Sequence, residues 1–350
     1  MADFSDIIDQ VQMKEHMQNA LLTEKVSHAY IISGETGSGK EFIARVFAKA
    51  LQCESRHEKE GMIESCNECP SCVKALSLSH PDIITLTHEK PASIGVDDIR
   101  HGIRDDVVIR PYESKYKIYI IPEGEKMTPA AQNALLKTLE EPPSYVVIII
   151  LTNNLNAFLP TIISRCIVLP MKPAKDDSIK KYLMENYHVV DYKAMLCASF
   201  ARGNVGKALD LASNEKFDNL KNSTIELVSK LNSLETHDIM DRLHEMLSPD
   251  EESEKTSKKG IDTASLEGFM DVMIFLFRDM LVYKATENVD HLIFSDKLSY
   301  IRSVTEKCSY TQIDEMIHDL EKAKNRINSN VNIDLALELM LLAVKEHDAV

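Results

Sequence analysis

The chain has 350 residues, of which 44% are hydrophobic and 27% are charged, and its formal net charge is -15. This composition is typical of a globular protein, and the length predicts two or three domains. The negative charge argues against a protein that binds DNA or an anionic membrane by itself, although a complex could supply the missing positive charge. The first residues lack the basic character of a signal peptide, and the apolar runs are too short to span a membrane. We therefore expect a soluble, cytoplasmic protein with no membrane partner.

The first predicted elements lead into a glycine-rich loop. Residues 7–28 are predicted to be helical, and the apolar strand "AYIIS" at 29–33 precedes "GETGSGKE" at 34–41. Apolar residues recur at helical spacing through 41–52, so a helix is predicted to follow the loop. Strand, glycine loop and helix in this order are the context in which a phosphate-binding loop is found.

The loop fits the pattern G-x-x-x-x-G-K-[ST] except at its last position, which is Glu41. In that pattern backbone N–H groups surround the phosphates, the lysine reaches the terminal phosphates, and the final hydroxyl binds Mg²⁺. A carboxylate can also hold Mg²⁺, so Glu41 alone does not exclude a nucleotide. The candidate nucleotide-binding residues are Gly34, Gly37, Gly39 and Lys40.

A cysteine cluster follows, with the spacing C-x12-C-x2-C-x2-C. Its members are Cys53, Cys66, Cys69 and Cys72. Four thiolates can close a tetrahedral Zn²⁺ site with no position left for water, so the site is expected to be structural. An iron–sulfur cluster is the alternative, although its usual spacings differ. We expect His57 to be solvated, and Cys166, Cys197 and Cys308 to be ordinary buried thiols.

Four further apolar runs predict the rest of a parallel sheet that is buried on both faces. They lie at 82–86, 117–121, 146–151 and 166–170. Residues 1–170 are therefore predicted to form an α/β domain, with the cysteine insert at 53–72. Residues 171–214 and 215–350 are predicted to form a small helical domain and an all-α domain.

Two features of the all-α domain lead to specific predictions. Residues 248–260 are charged and poor in hydrophobic residues, which predicts a mobile loop. The final helix carries a second apolar face at Leu335, Leu339 and Leu342, so we expect this helix to be buried.

Several motifs, taken in order, now identify a family. "NALLKTLEEPP" at 133–143, "ILTNN" at 150–154 and "SRC" at 164–166 follow the glycine loop and the cysteine insert. This combination resembles the bacterial DNA polymerase III clamp-loader family of AAA+ proteins. The resemblance implies an AAA+ domain with a P-loop, a parallel five-stranded sheet and a zinc module. It also implies a small helical lid and an all-α C-terminal collar that joins the subunits.

Three positions depart from an active member of that family. The Mg²⁺-binding hydroxyl is replaced by Glu41, the acidic pair after the third strand is Pro122-Glu123, and the lid arginine position matches Gly206. Without these groups the charge on a transferring phosphoryl group is not neutralised. The resemblance therefore implies a clamp-loader subunit of the polymerase holoenzyme that is not an enzyme by itself, with doubtful ATP binding.

Arg165, in "SRC", matches the family's arginine finger, which acts on the nucleotide of a neighbouring subunit. The implied partners are the gamma/tau and delta subunits, with the sliding clamp and primed DNA reached through the complex.

Three other functions stay open. The first alternative is an active, ATP-hydrolysing gamma/tau-type subunit, against which Pro122 is the strongest argument. The second is a zinc-bearing nucleic-acid-binding module, which the charge of -15 disfavours. The third is a small-molecule kinase, for which the sequence offers no identifiable catalytic base.

Overall fold

The computed structural model describes residues 3–59, 61–88, 90–248, 261–329 and 331–348. The chain forms two compact units. One unit comprises Met1–Val189 and Ala201–Leu209, and the other comprises Val190–Phe200 and Asp210–Val350. The predicted domain boundaries near residues 170 and 214 stay predictions.

A five-stranded parallel sheet lies at the centre of the first unit. The strands are β1 (Ala29–Ser33), β2 (His57–Lys59), β3 (Met62–Glu64), β4 (Ile83–Thr85), β5 (Lys117–Ile121), β6 (Val146–Thr152) and β7 (Ile167–Pro170). The sheet order is β4-β5-β6-β1-β7, while β2 and β3 pair as a separate antiparallel hairpin. Every residue of β5 and β6 is buried, as a sheet covered by helices on both faces requires. The predicted α/β fold with five parallel strands is confirmed.

Helices flank this sheet in the first unit. They are α1 (Val11–Thr23), α2 (Lys40–Gln52), α3 (Pro70–Leu76), α4 (Val96–Ile99), α5 (Pro129–Glu140), α6 (Pro160–Ile163) and α7 (Asp176–Tyr187). The first helix is shorter than the predicted 7–28. Left-handed backbone at Asp9 (φ 60°) and Glu24 (φ 54°) interrupts the helical path on both sides, so the prediction was wrong at both ends.

The regular elements described in the second unit are helical. Two helices, α8 (Asp191–Ala201) and α9 (Val205–Ser213), have residues in both units. The others are α10 (Glu215–Lys230), α11 (Thr236–Leu247), α12 (Thr263–Thr286), α13 (Leu298–Lys307), α14 (Tyr310–Asn328) and α15 (Ile333–Asp348). Aromatic rings fill part of the core, where the rings of Phe200 and Phe275 have centroids 4.5 Å apart. Within the described ranges, the helices lack the combination of length and apolarity needed to cross a membrane.

The final helix departs from its prediction. Leu335 and Leu339 are 50% and 48% exposed, whereas Leu337 and Met340 are buried. α15 packs against α11 and α14, and the face that carries Leu337 and Met340 is buried. The prediction that the helix is buried was therefore wrong for its second apolar face. The predicted mobile loop at 248–260 lies, apart from Ser248, outside the described residues.

Candidate metal centre and nucleotide-binding loop

The four predicted cysteine ligands meet at one point in the structure. Cys53 is the C-cap of α2, Cys66 follows β3, Cys69 is the N-cap of α3 and Cys72 lies in its first turn. Their sulfur atoms all lie within 4.8 Å of one another. The hairpin of β2 and β3 returns the chain from α2 to α3, which explains how a spacing of twelve residues can close one site.

The distances between sulfurs suit a tetrahedral metal. The Sγ atoms of Cys53 and Cys66 are 3.6 Å apart, and those of Cys66 and Cys72 are 3.9 Å apart. Four sulfurs at about 2.3 Å from a zinc ion would be roughly 3.8 Å from each other. The residues present therefore fit a structural Zn²⁺, which would be held by thiolates alone.

Backbone N–H groups point at the same sulfurs. The amides of Cys66, Cys69 and Cys72 donate to the preceding ligand's sulfur at 3.3–3.4 Å. Burial opposes ionisation of Cys66, but N–H groups of Glu68 and Cys69 bring its pKa down to about 6. Burial raises the pKa of Cys72, so a bound cation would be needed to keep this thiol ionised.

The glycine loop has the backbone of a phosphate-binding loop. It leaves β1 after Ser33, and α2 begins at Lys40. Gly37 and Gly39 have φ angles of 78° and 92°, in the left-handed region that favours glycine. The helix N-terminus and its preceding turn therefore present a concave surface suited to an anion.

The loop lysine is directed at its own backbone. The Nζ atom of Lys40 donates to the carbonyl oxygens of Gly34 and Glu35, at 2.7 Å and 2.6 Å. Burial lowers the pKa of Lys40, while the nearby carboxylates of Glu125 and Glu35 oppose that shift. A phosphate at this loop would have to displace these contacts to reach the amine.

The two acidic candidates for Mg²⁺ are bonded elsewhere. Glu41 pairs with Arg45, whose Nε atom lies 2.9 Å from Oε1, and the side chain of Glu41 is 53% exposed. Glu123 lies 2.7 Å from the Nζ atom of Lys126, and this contact holds the pKa of Glu123 low. Pro122 has no side-chain ligand to offer.

The start of α9 contacts the glycine loop directly. The N–H group of Gly206 donates to the carbonyl of Gly37 at 3.1 Å, and Asn204 Nδ2 donates to the carbonyl of Thr36 at 2.8 Å. A Cβ atom at position 206 would lie 2.2 Å from that Gly37 oxygen. The position matched to a lid arginine therefore fits a glycine only, because its backbone rests on the loop.

A cavity of about 630 Å³ adjoins this contact within the first unit. The glycine loop and the start of α9 contribute to its lining. Large apolar and aromatic residues also line it, namely Ile7, Ile8, Phe42, Tyr182 and Tyr187. A cavity of this size and lining can hold a small molecule with a planar ring.

Arg165 lies after α6, apart from the cavity-lining residues. Its guanidinium contacts Glu140, the last residue of α5, with 2.8 Å between NH2 and Oε1. Another nitrogen of the same group, NH1, donates to the carbonyl of Thr161 at 3.0 Å. The side chain of Arg165 is 34% exposed, so a partner could reach it.

Family models match both ends of the chain. The model described as "DNA polymerase III, delta subunit" matches residues 9–175, and "DNA polymerase III, delta subunit, C terminal" matches residues 259–346. The chain is also 29% identical over 340 residues to DNA polymerase III subunit delta' of Bacillus subtilis (strain 168), with 96% of each chain covered.

The chain belongs to the DNA polymerase III clamp-loader family.

A second relative has a different subunit name. This clamp-loader subunit is 34% identical over 332 residues to DNA polymerase III subunit tau of Bacillus subtilis (strain 168). The match covers 91% of this chain but 57% of the tau subunit, so the chain spans little more than half of that relative. A gamma subunit-related protein from Thermotoga maritima has a TM-score of 0.44 and 21% identity, with 96% and 99% of the two chains covered.

The structure also identifies residues that the sequence reasoning missed. Asn204 and Asn153 approach the glycine loop, with 3.4 Å between Asn153 Nδ2 and Thr36 Oγ1, and Glu140 contacts Arg165. Glu140 lies inside the "LLKTLEEPP" segment that already indicated the clamp-loader family. Asn204 lies beside Gly206, and its position before an apolar helix is typical of a cap.

Proposed function

We propose that this chain is a delta-prime-type subunit of the DNA polymerase III clamp loader. It does not hydrolyse ATP, and it supplies Arg165 to the nucleotide site of a neighbouring ATPase subunit. The observation that carries the first part is the hydrogen bond from the Gly206 N–H group to the carbonyl of Gly37. A Cβ atom at position 206 would lie 2.2 Å from the same carbonyl oxygen, so an arginine side chain could start from this position only if α9 moved away from the loop.

The residues around the loop support the same proposal. Phosphoryl transfer requires cations that neutralise the developing negative charge. Glu41 is paired with Arg45 and Glu123 with Lys126, and Pro122 has no ligand. Since the cavity beside the loop is retained, binding of a nucleotide without hydrolysis is compatible with this proposal.

The alternative is an active gamma/tau-type subunit, which the 34% identity to the tau subunit favours. It predicts Mg²⁺-dependent ATP turnover by the purified chain that disappears in a Lys40→Ala variant. The delta-prime proposal predicts no turnover above background in either protein. Phosphate release from the two proteins therefore decides between these functions.

The partners of this proposal are other clamp-loader subunits of the gamma/tau and delta types, which act with a sliding clamp and primed DNA. The net charge of -15 supports contact with DNA through the complex and not through this chain alone. A structural zinc held by the four cysteines belongs to the same proposal, since their sulfurs converge within 4.8 Å.

Reconstitution with the ATPase subunits tests the role of Arg165. An arginine finger contributes about 10³–10⁵ in rate at its own site, so Arg165→Ala should abolish hydrolysis at the facing site. Arg165→Lys should fail largely as well, because an ammonium cannot reproduce the planar fork of a guanidinium. Assembly, measured by size, should persist. Wild-type DNA-stimulated turnover with both variants would contradict the proposed finger.

A further inference from the structure

The carboxylate of Glu140 is in direct contact with the guanidinium of Arg165, with 2.8 Å between Oε1 and NH2. We propose that Glu140 is a positioning residue, which orients the side chain of Arg165 toward the nucleotide of a neighbouring subunit. This inference rests on the proposed role of Arg165 as a finger in trans.

Two separate elements hold the guanidinium. Glu140 ends α5, whereas Thr161, whose carbonyl accepts from NH1 at 3.0 Å, lies in α6. The backbone N–H group of Arg165 also donates to the carbonyl of Ile162 at 3.1 Å. A planar group that is fixed through two of its nitrogens has a defined orientation, which one contact alone would not give.

The ion pair between Glu140 and Arg165 is weak enough to be exchanged for a stronger contact. Arg165 and Glu140 are 34% and 49% exposed, and ion pairs at such exposed positions contribute little to stability. A phosphate that approaches the arginine forms charge-assisted hydrogen bonds that are stronger than this. Glu140 can therefore restrict the rotamers of the free side chain without retaining it once a neighbour's nucleotide is in place.

The sequence immediately beside Glu140 offers a matched control. Glu141 is the C-cap of α5, is exposed and carries the same charge. Its backbone N–H group donates to the carbonyl of Lys137 at 3.2 Å. Glu140→Gln and Glu141→Gln thus change the net charge equally, but only Glu140→Gln removes the carboxylate at Arg165.

The experiment uses the assembled clamp loader with five versions of this chain. These are wild type, Glu140→Gln, Glu141→Gln, Arg165→Ala and the double variant Glu140→Gln/Arg165→Ala. Ordering one long side chain on binding costs enough to change a rate about two- to tenfold. We therefore expect Glu140→Gln to lower the kcat of DNA-stimulated ATP hydrolysis about two- to tenfold, with KM for ATP and assembly unchanged.

The controls separate this inference from the proposed function. Glu141→Gln should match wild type, and the double variant should be no slower than Arg165→Ala, because Glu140 acts only through the arginine. If Arg165→Ala slows turnover but Glu140→Gln does not, the positioning role is wrong and the finger stands. A faster Glu140→Gln loader would also overturn positioning. If Arg165→Ala itself has wild-type turnover, the proposed finger fails and this inference fails with it.

Discussion

The two ends of α2 carry two motifs, which differ in whether their side chains converge on one site. At its N-terminus the glycine loop keeps its backbone geometry, yet Glu41 is paired with Arg45 and Gly206 rests on the loop. At its C-terminus Cys53 meets three other cysteines within 4.8 Å. All four cysteines of the candidate metal site lie within one short insert, at 53–72. Nucleotide hydrolysis instead needs groups from distant strands and helices, so a recognisable loop can persist where those groups are missing.

Loss of one cysteine tests the C-terminal end of α2 and has the largest expected effect. We expect Cys72→Ser to bind no zinc, because three thiolates cannot close the proposed four-cysteine site. The variant should also unfold more easily, since metal binding to such sites supplies on the order of 10 kcal/mol in small zinc domains. Elemental analysis and thermal unfolding measure the loss. Cys166→Ser is the control, since this thiol lies outside the cluster, and it should keep the metal. A Cys72→Ser protein that retains one zinc ion per chain would contradict the proposed ligand set.

A methyl group at position 206 tests the contact between α9 and the glycine loop, at the N-terminal end of α2. Gly206→Ala places Cβ 2.2 Å from the carbonyl oxygen of Gly37, so α9 must move away from the loop. Overpacking of this kind costs about 1–3 kcal/mol of unfolding free energy, measured by urea denaturation. Gly95→Ala is the control, because its Cβ would meet ordinary contact at 3.4 Å. If the two variants are equally stable, the contact between α9 and the loop is not tight in solution.

Restoring the missing hydroxyl should have the smallest effect. Glu41→Thr removes a partly exposed i,i+4 pair with Arg45, which is worth about 0.3–0.5 kcal/mol. It should not produce ATP turnover, because Pro122 and Gly206 remain. Phosphate release and urea denaturation measure both outcomes. Mg²⁺-dependent turnover in Glu41→Thr that requires Lys40 would mean that a single residue separates this loop from an active one.

The parts of the fold that could be predicted are those with local patterns. Continuous apolar runs located the five parallel strands, because strands buried on both faces contain few polar residues. Cysteine spacing located the convergence of four sulfurs, since a hairpin and a helix start suffice to close the insert.

The remaining features depend on contacts between distant segments. The hydrogen bond between Gly206 and Gly37 joins positions far apart in sequence, so no periodic pattern of residues could predict it. Sequence periodicity also cannot tell which apolar face of α15 packs, so Leu335 and Leu339 were expected inside and are half exposed. The ends of α1 depend on left-handed residues such as Asp9 and Glu24, which have no strong sequence signal.

The position of β1 between two strands that come much later in the sequence has a consequence for synthesis of the chain on the ribosome. β1 is complete at Ser33, but its neighbours in the sheet are β6 (Val146–Thr152) and β7 (Ile167–Pro170). At roughly 5–20 residues per second, the second of these partners is complete about 7–27 s after β1. During that interval an apolar strand has both hydrogen-bonding edges unpaired, which is a risk for aggregation. Until β7 has been synthesised, the sheet therefore cannot cover both edges of β1 with strands of its own chain.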